Sequence, residues 1–282
     1  MSKVSKPTER NIDESTVASF ADEWHRHDQS LLDETEAQKI FEDYFSVFPW
    51  DQLPVNAVGF DMGCGTGRWA KLVSPRVGVL HCIDPSSAIN VAKKTLANMS
   101  NVSFHKASVD DGVLPANSQD FGYSLGVLHH VPDTGQAIRS CTSMLKTGAP
   151  FLVYLYYAFD NRSLLFKGAW RCSDLLRRII CRLPAPLKQL ATDILSVLVY
   201  YPLARLSLLI ETMGFSVSNI PLSAYRSWSF YTMRTDSRDR FGTPLEQRFT
   251  RTEITSMLHA ANLTNIEFSE HTPFWCAVGY RK

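Results

Sequence analysis

The 282-residue sequence has no marked excess of either charge. Its 29 lysine and arginine residues stand against 28 aspartate and glutamate residues, which gives a formal net charge of +1. Such a chain has no overall field that would attract nucleic acid or an anionic membrane, so either partner would need a local patch. The sequence also lacks an Asn-Pro-Pro-Tyr or Pro-Cys run. We therefore expect no nucleic-acid substrate.

The sequence has few cysteines and none in a metal-binding pattern. No Cys-x-x-Cys pair or matching histidine spacing is present, so we expect no metal site. Free and mostly buried thiols are the prediction for Cys64, Cys82, Cys141, Cys172, Cys181 and Cys276. The first residues, MSKVSKPTERNIDEST, lack the apolar stretch of a secretory signal. Both features predict a cytoplasmic protein.

Long hydrophobic runs are also missing. The most apolar stretch, Ile194 to Ala204, contains Ser196 and Pro202 and is followed by Arg205. It is shorter than the roughly 20 residues that a spanning helix needs. The sequence predicts no transmembrane segment.

The overall composition is that of a folded globular chain, with 45% hydrophobic and 20% charged residues. Its length allows one α/β core with an additional subdomain. We predict a frayed polar start to about residue 14 and a helical cap from Ser15 to Phe48, where apolar residues recur at helical spacing. The predicted divisions are 1–50 (tail and cap), 51–158 (core), 159–245 (inserted helical lid) and 246–282 (last core helix and strands).

Apolar strand-like runs then alternate with helical runs, a pattern that predicts a doubly wound parallel sheet with helices on both faces. The predicted strands are Ala57–Asp61, Val77–Asp84, Val102–His105, Phe121–Leu128, Pro150–Tyr157, Asn265–Ser269 and Trp275–Gly279. The predicted core helices are Arg68–Val73, Ser86–Met99, Thr134–Leu145 and Thr250–Ala261.

Between Asp160 and Leu222 the alternation stops and the chain becomes helical and basic. Its basic, leucine-rich part, residues 164–209, has two interpretations. One is a lid whose arginines face water and whose leucines face the core. The other is an interfacial surface that contacts an anionic membrane.

The segment Asp61-Met-Gly-Cys-Gly-Thr-Gly67 follows the first predicted strand and opens a helix. Glycines in this context allow a tight turn and let a ligand approach the backbone. A dinucleotide enzyme would have its third glycine at position 68, where this chain has Arg68. Asp61 would repel a diphosphate and favours a cationic ligand. Asp84, at the end of the second strand, is placed to bind both ribose hydroxyls of a nucleoside.

Asp61 to Gly67 with Asp84 resembles the S-adenosyl-L-methionine (SAM) signature of class I methyltransferases, and the runs Ser108–Asp110 and Asp120–Val131 resemble their later blocks. The "VLHHV" turn is similar to that of a group acting on small molecules and glycans. The resemblance implies a Rossmann-like sheet of about seven strands with the last antiparallel, a helical cap, and a helical insertion after the fifth strand. It also implies SAM as cofactor, bound by Asp61, Gly63, Cys64, Gly65, Gly67, Asp84, Val109, Asp110, Gly126, Val127 and Leu128.

Several of these side chains allow a structural and a functional interpretation. Of His129 and His130, one is expected in the core or paired with backbone, and the other lines the acceptor site as a proton acceptor. His130 is the first candidate for the catalytic base. Trp69 favours helix packing, and Phe20 and Trp24 either cover the cofactor or pack the cap on the core.

Acceptor residues are expected at the carboxyl ends of the strands and in the insertion. The candidates are Tyr156, Tyr157, Asn161, Arg162, Tyr225, Arg226 and Tyr231, which could instead pack the lid on the core. The predicted function is methyl transfer to a small acceptor, with a hydroxyl of a glycan or glycolipid precursor first and a quinone-like or polyketide-like lipid second. A SAM-binding module without catalysis is the alternative of another class, and a nicotinamide oxidoreductase fits the motif poorly. The expected location is cytoplasmic, with membrane contact at its inner face through residues 164–209.

Overall fold

A computed structural model describes residues 10–282 of the chain. The predicted frayed start lies partly outside these residues, and for residues 10–14 it is wrong. The backbone N–H of Asn11 donates to Asp110 (2.8 Å), and its side-chain amide donates to the carbonyl of Asp133 (2.7 Å). These contacts hold the start of the chain against the core before helix α1 begins at Glu14.

Seven strands form one sheet. They are β1 (Val58–Met62), β2 (Val79–Ile83), β3 (Val102–His105), β4 (Phe121–Leu125), β5 (Pro150–Tyr154), β6 (Leu263–Phe268) and β7 (Cys276–Arg281). Their order across the sheet is β3-β2-β1-β4-β5-β7-β6. β7 runs antiparallel to both of its neighbours, and β1 to β5 are parallel. The predicted α/β, doubly wound Rossmann-like class with an antiparallel last strand is confirmed.

Within residues 10–282, ten α-helices surround the sheet. They are α1 (Glu14–Arg26), α2 (Glu34–Tyr44), α3 (Arg68–Val73), α4 (Ile89–Thr95), α5 (Thr134–Ser143), α6 (Leu164–Ile180), α7 (Ala185–Leu195), α8 (Tyr201–Thr212), α9 (Phe230–Gly242) and α10 (Arg251–Ala260). α6 to α9 lie between β5 and α10 and form the insertion. The divisions at residues 50, 158 and 245 stay a prediction.

Two strands, β4 and β5, end three residues earlier than predicted, and both ends open towards the functional site. β4 stops at Leu125 because Gly126 takes a left-handed φ of 78°, and a short 3-10 turn follows at Leu128–His130. β5 stops at Tyr154. The residues beyond these ends are therefore free to leave the plane of the sheet.

The two central strands pack rings over glycines. Gly59 pairs with Phe121, and Phe60 pairs with Gly122. A Cβ on Gly59 would lie 2.3 Å from the Phe121 ring, and a Cβ on Gly122 would lie 2.3 Å from the Phe60 ring. Each ring therefore occupies the space that a side chain opposite would need, and the two phenylalanines fill the cores on opposite faces.

Polar contacts hold the insertion together around α9. Lys188 of α7 donates to the carbonyl of Gly242 (3.1 Å), and Ser237 donates to the carbonyl of Thr192 (3.0 Å). Arg238, 1% exposed, pairs with Asp22 of α1 at 2.8 Å. α9 thus connects the insertion to the N-terminal cap.

The expected break at Ser196 and Pro202 is absent from the structure. Pro202 falls in the first turn of α8, where its missing N–H is tolerated. Ser196 begins a π-helical turn, Ser196–Tyr200, that joins α7 to α8. One continuous helix of 28 residues, Ala185–Thr212, results, and by length and composition it could cross a membrane. The prediction of a short, interrupted run is therefore wrong.

Of the two interpretations of residues 164–209, the lid whose leucines face the core is also wrong, whereas the interfacial surface stays a prediction. Arg177 is buried, where it pairs with Asp174 (2.8 Å) and donates to the carbonyl of Thr243 (2.9 Å). Leu187, Leu190 and Leu198 are instead 52%, 57% and 68% exposed. The polar side of α7–α8 faces the protein because α9, on which it packs, offers polar groups.

The ring-over-glycine packing predicts a stability effect. Gly122→Ala should lower the free energy of unfolding by roughly 1–3 kcal/mol, because the new methyl group overlaps the Phe60 ring. The loss should shrink in a Phe60→Leu background, as measured by urea denaturation. Gly168→Ala is the control, since its Cβ meets nothing within 4 Å and alanine favours the helix. Equal losses at Gly122 in both backgrounds would contradict this packing account.

Candidate active site

A cavity of about 640 Å³ lies at the carboxyl ends of β1, β2, β4 and β5. Residues of the glycine turn form one end of its wall, α1 contributes a side, and the insertion contributes the other end. Open α/β sheets bind ligands at this edge, where the strand order reverses between β1 and β4. The cavity is therefore the candidate active site.

The turn after β1 requires glycine. Gly63 and Gly67 have left-handed φ values of 80°, and a Cβ on Gly63 would lie 2.4 Å from Val127. Gly63, Cys64 and Gly65 line the cavity, as predicted for cofactor-binding residues. Gly67 does not line it. It begins α3, and its Cβ would meet Leu96 at 2.9 Å, so its role is to let α3 approach α4.

Asp84 joins the two turns that follow β1 and β2. Its carboxylate accepts hydrogen bonds from the backbone N–H of Gly65 (2.9 Å) and from the N–H and hydroxyl of Ser86 (2.8 and 2.6 Å). The side chain borders the cavity and is held in place on both sides. A fixed carboxylate here suits a ligand with hydroxyl donors, and its binding of ribose stays a prediction.

Asp61 is 1% exposed and is not part of the cavity wall. Burial raises the pKa of Asp61 to about 8, the nearby Asp84 carboxylate adds to this rise, and the Arg68 guanidinium opposes it. One carboxylate oxygen has no hydrogen-bond partner among residues 10–282. A cation in the cavity would favour the carboxylate form of Asp61. The expected role of Asp61 is therefore electrostatic attraction of the ligand without direct contact.

The ends of β3 and β4 contribute the remaining predicted cofactor residues. Val109, Gly126, Val127 and Leu128 all line the cavity. Asp110 does not, although one of its oxygens is a buried acceptor that no residue of the described chain satisfies. Its other oxygen accepts a hydrogen bond from the backbone N–H of Asn11. Burial raises the pKa of Asp110, but this bond and a hydrogen bond from Ser108 hold the pKa below its usual value.

Aromatic residues of the cap and of α3 cover this end of the cavity. Phe20, Trp24 and Trp69 line it. The Trp24 indole nitrogen lies 3.4 Å from the position of a Cβ on Gly65. Phe20 and Trp24 therefore both pack the cap and face the ligand space, and Trp69 lines the cavity while packing in the core.

These residues fit SAM. Gly63 and Gly65 admit a ligand against the backbone, and Asp84, which borders the cavity, offers a fixed carboxylate. A ligand with hydroxyl donors can pair with that carboxylate.

The two histidines of the VLHHV turn occupy different positions, and their catalytic roles stay a prediction. His129 is fully buried outside the cavity wall, with its ring stacked 3.9 Å from that of Tyr156, and burial lowers its pKa well below the usual value. His130 lines the cavity, and its Nδ1 lies 2.6 Å from the carbonyl oxygen of Leu245. Because that oxygen can only accept, Nδ1 carries the proton and the unpartnered Nε2 offers a lone pair. Burial lowers the pKa of His130 to about 4.

Two carboxylates of α9, Asp236 and Asp239, complete the cavity, and the sequence analysis did not identify them. The Tyr156 hydroxyl donates to Asp239 (2.8 Å), and the Tyr225 hydroxyl donates to Asp236 (2.9 Å). Burial raises the pKa of Asp239 to about 7, and the Asp236 charge adds to the rise. Burial also raises the pKa of Asp236. Their spacing of three residues on a helix was the only available signal.

Two arginines face the same space. Arg68 lines the cavity, lies over the Trp69 ring at 4.1 Å and makes no hydrogen bond within the described part of the chain. Its charge opposes the raised pKa values of both Asp236 and Asp239. Arg248 lies 4.9 Å from the Tyr156 ring and pairs with Glu246 (2.8 Å).

The predicted acceptor residues divide into two sets. Tyr156, Tyr157, Arg162 and Tyr225 line the cavity. Arg226 and Tyr231 do not, so the structure contradicts their placement in the acceptor site. Arg226 pairs with Glu211 at 2.7 Å, and the Tyr231 hydroxyl accepts from the N–H of Gln29 at 3.1 Å. Arg226 is thus held by α8, and Tyr231 is held by the segment between α1 and α2. Asn161 also lies outside the cavity wall.

Comparison with known proteins identifies a methyltransferase domain within the chain. Residues 60–153 match a family model described as a methyltransferase domain. A ubiquinone biosynthesis O-methyltransferase of Coxiella burnetii (strain Dugway 5J108-111) is 22% identical over 163 residues, which cover 56% of this chain and 66% of that protein. A trans-aconitate 2-methyltransferase of Agrobacterium fabrum is 28% identical over 106 residues, which cover 37% of this chain and 41% of that protein.

Among solved structures, an O-methyltransferase family protein from Burkholderia thailandensis aligns with a TM-score of 0.52 at 13% identity. The alignment covers 87% of this chain and 56% of that one, and likeness at this identity shows the fold alone. The matched domain, the seven-strand sheet and the glycine turn agree with one another. Residues 60–153 therefore form a methyltransferase domain of the class I, SAM-dependent kind.

Proposed function

We propose that the protein transfers the methyl group of SAM to a hydroxyl of a small amphipathic acceptor, with a glycan or glycolipid precursor as the first candidate. One observation carries this proposal. A single cavity extends from the glycine turn to buried carboxylates and aromatic rings of the insertion. Cofactor and acceptor can therefore meet in one enclosed space.

Bound SAM supplies an already activated methyl group, so the chain must mainly hold the acceptor in line and exclude water. Phe20 and Trp24 close the cavity on the cap side, and Tyr156 and Trp170 line it from β5 and α6. Hydroxyl acceptors must also lose a proton. A base whose pKa lies near the working pH performs this best.

Asp239 fits the role of base better than His130. The neutral His130 Nε2 is available, but a pKa of about 4 makes it a weak proton acceptor. Asp239 has a pKa of about 7 and one oxygen without a partner, while Tyr156 holds the other oxygen. We therefore propose that Asp239 takes the acceptor proton and that His130 orients the hydroxyl.

A quinone-like or polyketide-like lipid is the second candidate acceptor. The aromatic wall formed by Tyr154, Tyr156 and Trp170 favours a flat ring. The Coxiella relative is a ubiquinone biosynthesis O-methyltransferase. A module that binds SAM without catalysis is the remaining alternative. Transfer of a labelled methyl group from SAM to a total lipid extract separates the enzyme from such a module.

The proposal includes a cytoplasmic location, peripheral to the inner face of a membrane. All six cysteines are free, which suits a reducing compartment. An amphipathic acceptor would be found at that membrane face.

The glycine turn provides a test of cofactor binding. Gly63→Ala should weaken the binding of SAM and of S-adenosylhomocysteine by at least about tenfold, because its methyl group combines a left-handed φ with an overlap with Val127. Isothermal calorimetry measures this loss. Gly112→Ala is the matched control, since Gly112 has a φ of 61°, has open space around it and lies outside the cavity. Equal affinity in the two variants would remove the assignment of the turn.

Asp239→Asn provides a test of the base. In the unaltered protein, transfer to the lipid extract should rise with pH and level off above about 7. In the variant the rate should fall by roughly 10²- to 10⁴-fold and lose this dependence. If His130 were the base, the profile of the unaltered protein would be flat from roughly pH 6 upward, since a pKa near 4 leaves the imidazole neutral there.

Stability separates loss of chemistry from loss of fold in this variant. A carboxyl whose folded pKa is raised contributes stability below its unfolded pKa and loses it as pH rises through the folded pKa. Asp239→Asn should therefore be at least as stable as the unaltered protein at pH 8, with a smaller advantage at pH 5. Thermal unfolding at both pH values measures this difference.

A further inference from the structure

The helix Ala185–Thr212 has its polar and apolar sides reversed relative to a water-facing helix. Its buried positions include the polar residues Lys188, Thr192, Ser196 and Ser207. An 18-residue window of the helix has a mean hydropathy of 1.6, and only 22% of that window is buried. A core helix of similar composition would be mostly buried, so composition alone does not explain this one.

From residue 186 to residue 209 the outer side of this helix carries no charged residue. Every exposed residue in that range is apolar or aromatic. We call this surface the α7–α8 apolar face, and its members are Pro186, Leu187, Leu190, Ile194, Val197, Leu198, Val199, Tyr201, Pro202, Leu206 and Leu209. Monomeric soluble proteins rarely expose so continuous an apolar surface, and such surfaces mark sites of association.

α6, the helix that precedes α7 in the chain, exposes basic side chains. α6 and the turn after it expose Arg171, Arg178 and Arg182, and the only carboxylate of α6, Asp174, is buried. The same helix exposes Leu175 and Ile179, at 65% and 57%. Leucines beside exposed arginines match the layers of an anionic bilayer surface, with acyl chains below and phosphates above. A two-fold contact with a second copy would bring these like charges together at one interface instead.

The helix is held flat against the protein. Asp193 pairs with Arg234 through two bonds of 2.7 and 2.8 Å, and Lys188 donates to Gly242. These bonds fix one side of α7 to α9, which also carries Asp236 and Asp239. A spanning helix would have to break them, whereas a helix lying in the interface keeps them.

The cavity reaches this face at one residue. Val199 lines the cavity and is also 38% exposed, and Leu203, one turn further along, lines the cavity as well. Phe166 of α6 and Ile220 lie on the same cavity wall. The acceptor site and the apolar face are thus separated by the thickness of one helix.

We propose that the α7–α8 apolar face docks on an anionic lipid bilayer and lets a membrane-borne acceptor enter the cavity beside Val199. The inference rests on the proposed methyl transfer and deepens it, since it assigns the acceptor to the class of lipids whose polar group can leave the bilayer while the tail stays. The helix lies parallel to the membrane plane, its leucines reach the acyl chains, and the α6 arginines contact lipid phosphates.

The test uses the full chain and vesicles of phosphatidylcholine with or without phosphatidylglycerol. The unaltered protein should float with the anionic vesicles. Leu190→Gln/Leu198→Gln should reduce this binding by at least about tenfold, because two exposed leucines no longer enter the acyl layer. The matched control is Leu31→Gln/Val55→Gln, which changes two residues that are 77% and 93% exposed outside the face.

Three results would overturn the proposal. They are no flotation of the unaltered protein, an equal loss in the control variant, and a concentration-dependent dimer that dissociates in Leu190→Gln/Leu198→Gln. The last result, measured by sedimentation velocity, would show that a second copy covers the face. SAM calorimetry keeps the two proposals distinguishable, because the double variant should bind SAM as the unaltered protein does. A protein that floats but binds no SAM would contradict the proposed function and leave the docking face standing.

A second measurement tests entry from the bilayer. Methyl transfer to a lipid extract built into vesicles should fall in the double variant, whereas transfer to the same extract dispersed in detergent should be unchanged. A loss of equal size in both preparations would overturn the entry route, because it would place the defect inside the cavity.

Discussion

Gly63, in the turn between β1 and α3, cannot carry a side chain, and the rest of the site depends on this constraint. A Cβ on Gly63 would overlap Val127, which belongs to the segment after β4. The turn and that segment therefore pack backbone against side chain, and the carboxyl ends of β1 and β4 stay close. The cavity opens at the place where the strand order reverses, which is where open α/β sheets bind their ligands.

The glycine pattern of the turn is local in sequence, and so the turn could be predicted. The glycines, Asp84 and the ends of β3 and β4 each lie within a few residues of a predicted strand end, and strand alternation is strong in the core. The prediction of a residue's role was less accurate where the residue can contact either the ligand or another part of the chain. Gly67 follows the same pattern as Gly63 but serves helix packing, and Asp110 is partly engaged by Asn11, about a hundred residues earlier in the chain.

The acceptor side depends on contacts between distant parts of the chain. Tyr156 and Asp239 are 83 positions apart, and no pattern in either segment indicates the other. The prediction of the orientation of α7–α8 was wrong for a related reason. Helical periodicity tells which residues share a side of a helix, but it does not tell which side meets the protein. Here α9 offers Ser237, Arg234 and the Gly242 carbonyl, so the polar side turned inward and the leucines were left outside.

The same burial that hides the polar groups sets the chemistry of the cavity. Asp236 and Asp239 lie on a helix whose outer neighbours are α6 and α7, and removal of water from them raises both pKa values. Arg68 opposes that rise from the cofactor end, so the charge state of the acceptor end responds to what lies beside the glycine turn. An insertion that opened to water would return Asp239 towards an ordinary carboxylate, which is too weak a base for a hydroxyl. The packing of α7 on α9 therefore has two effects. It keeps the pKa of Asp239 near neutral pH, and it places an apolar surface at the entrance that a lipid acceptor would use.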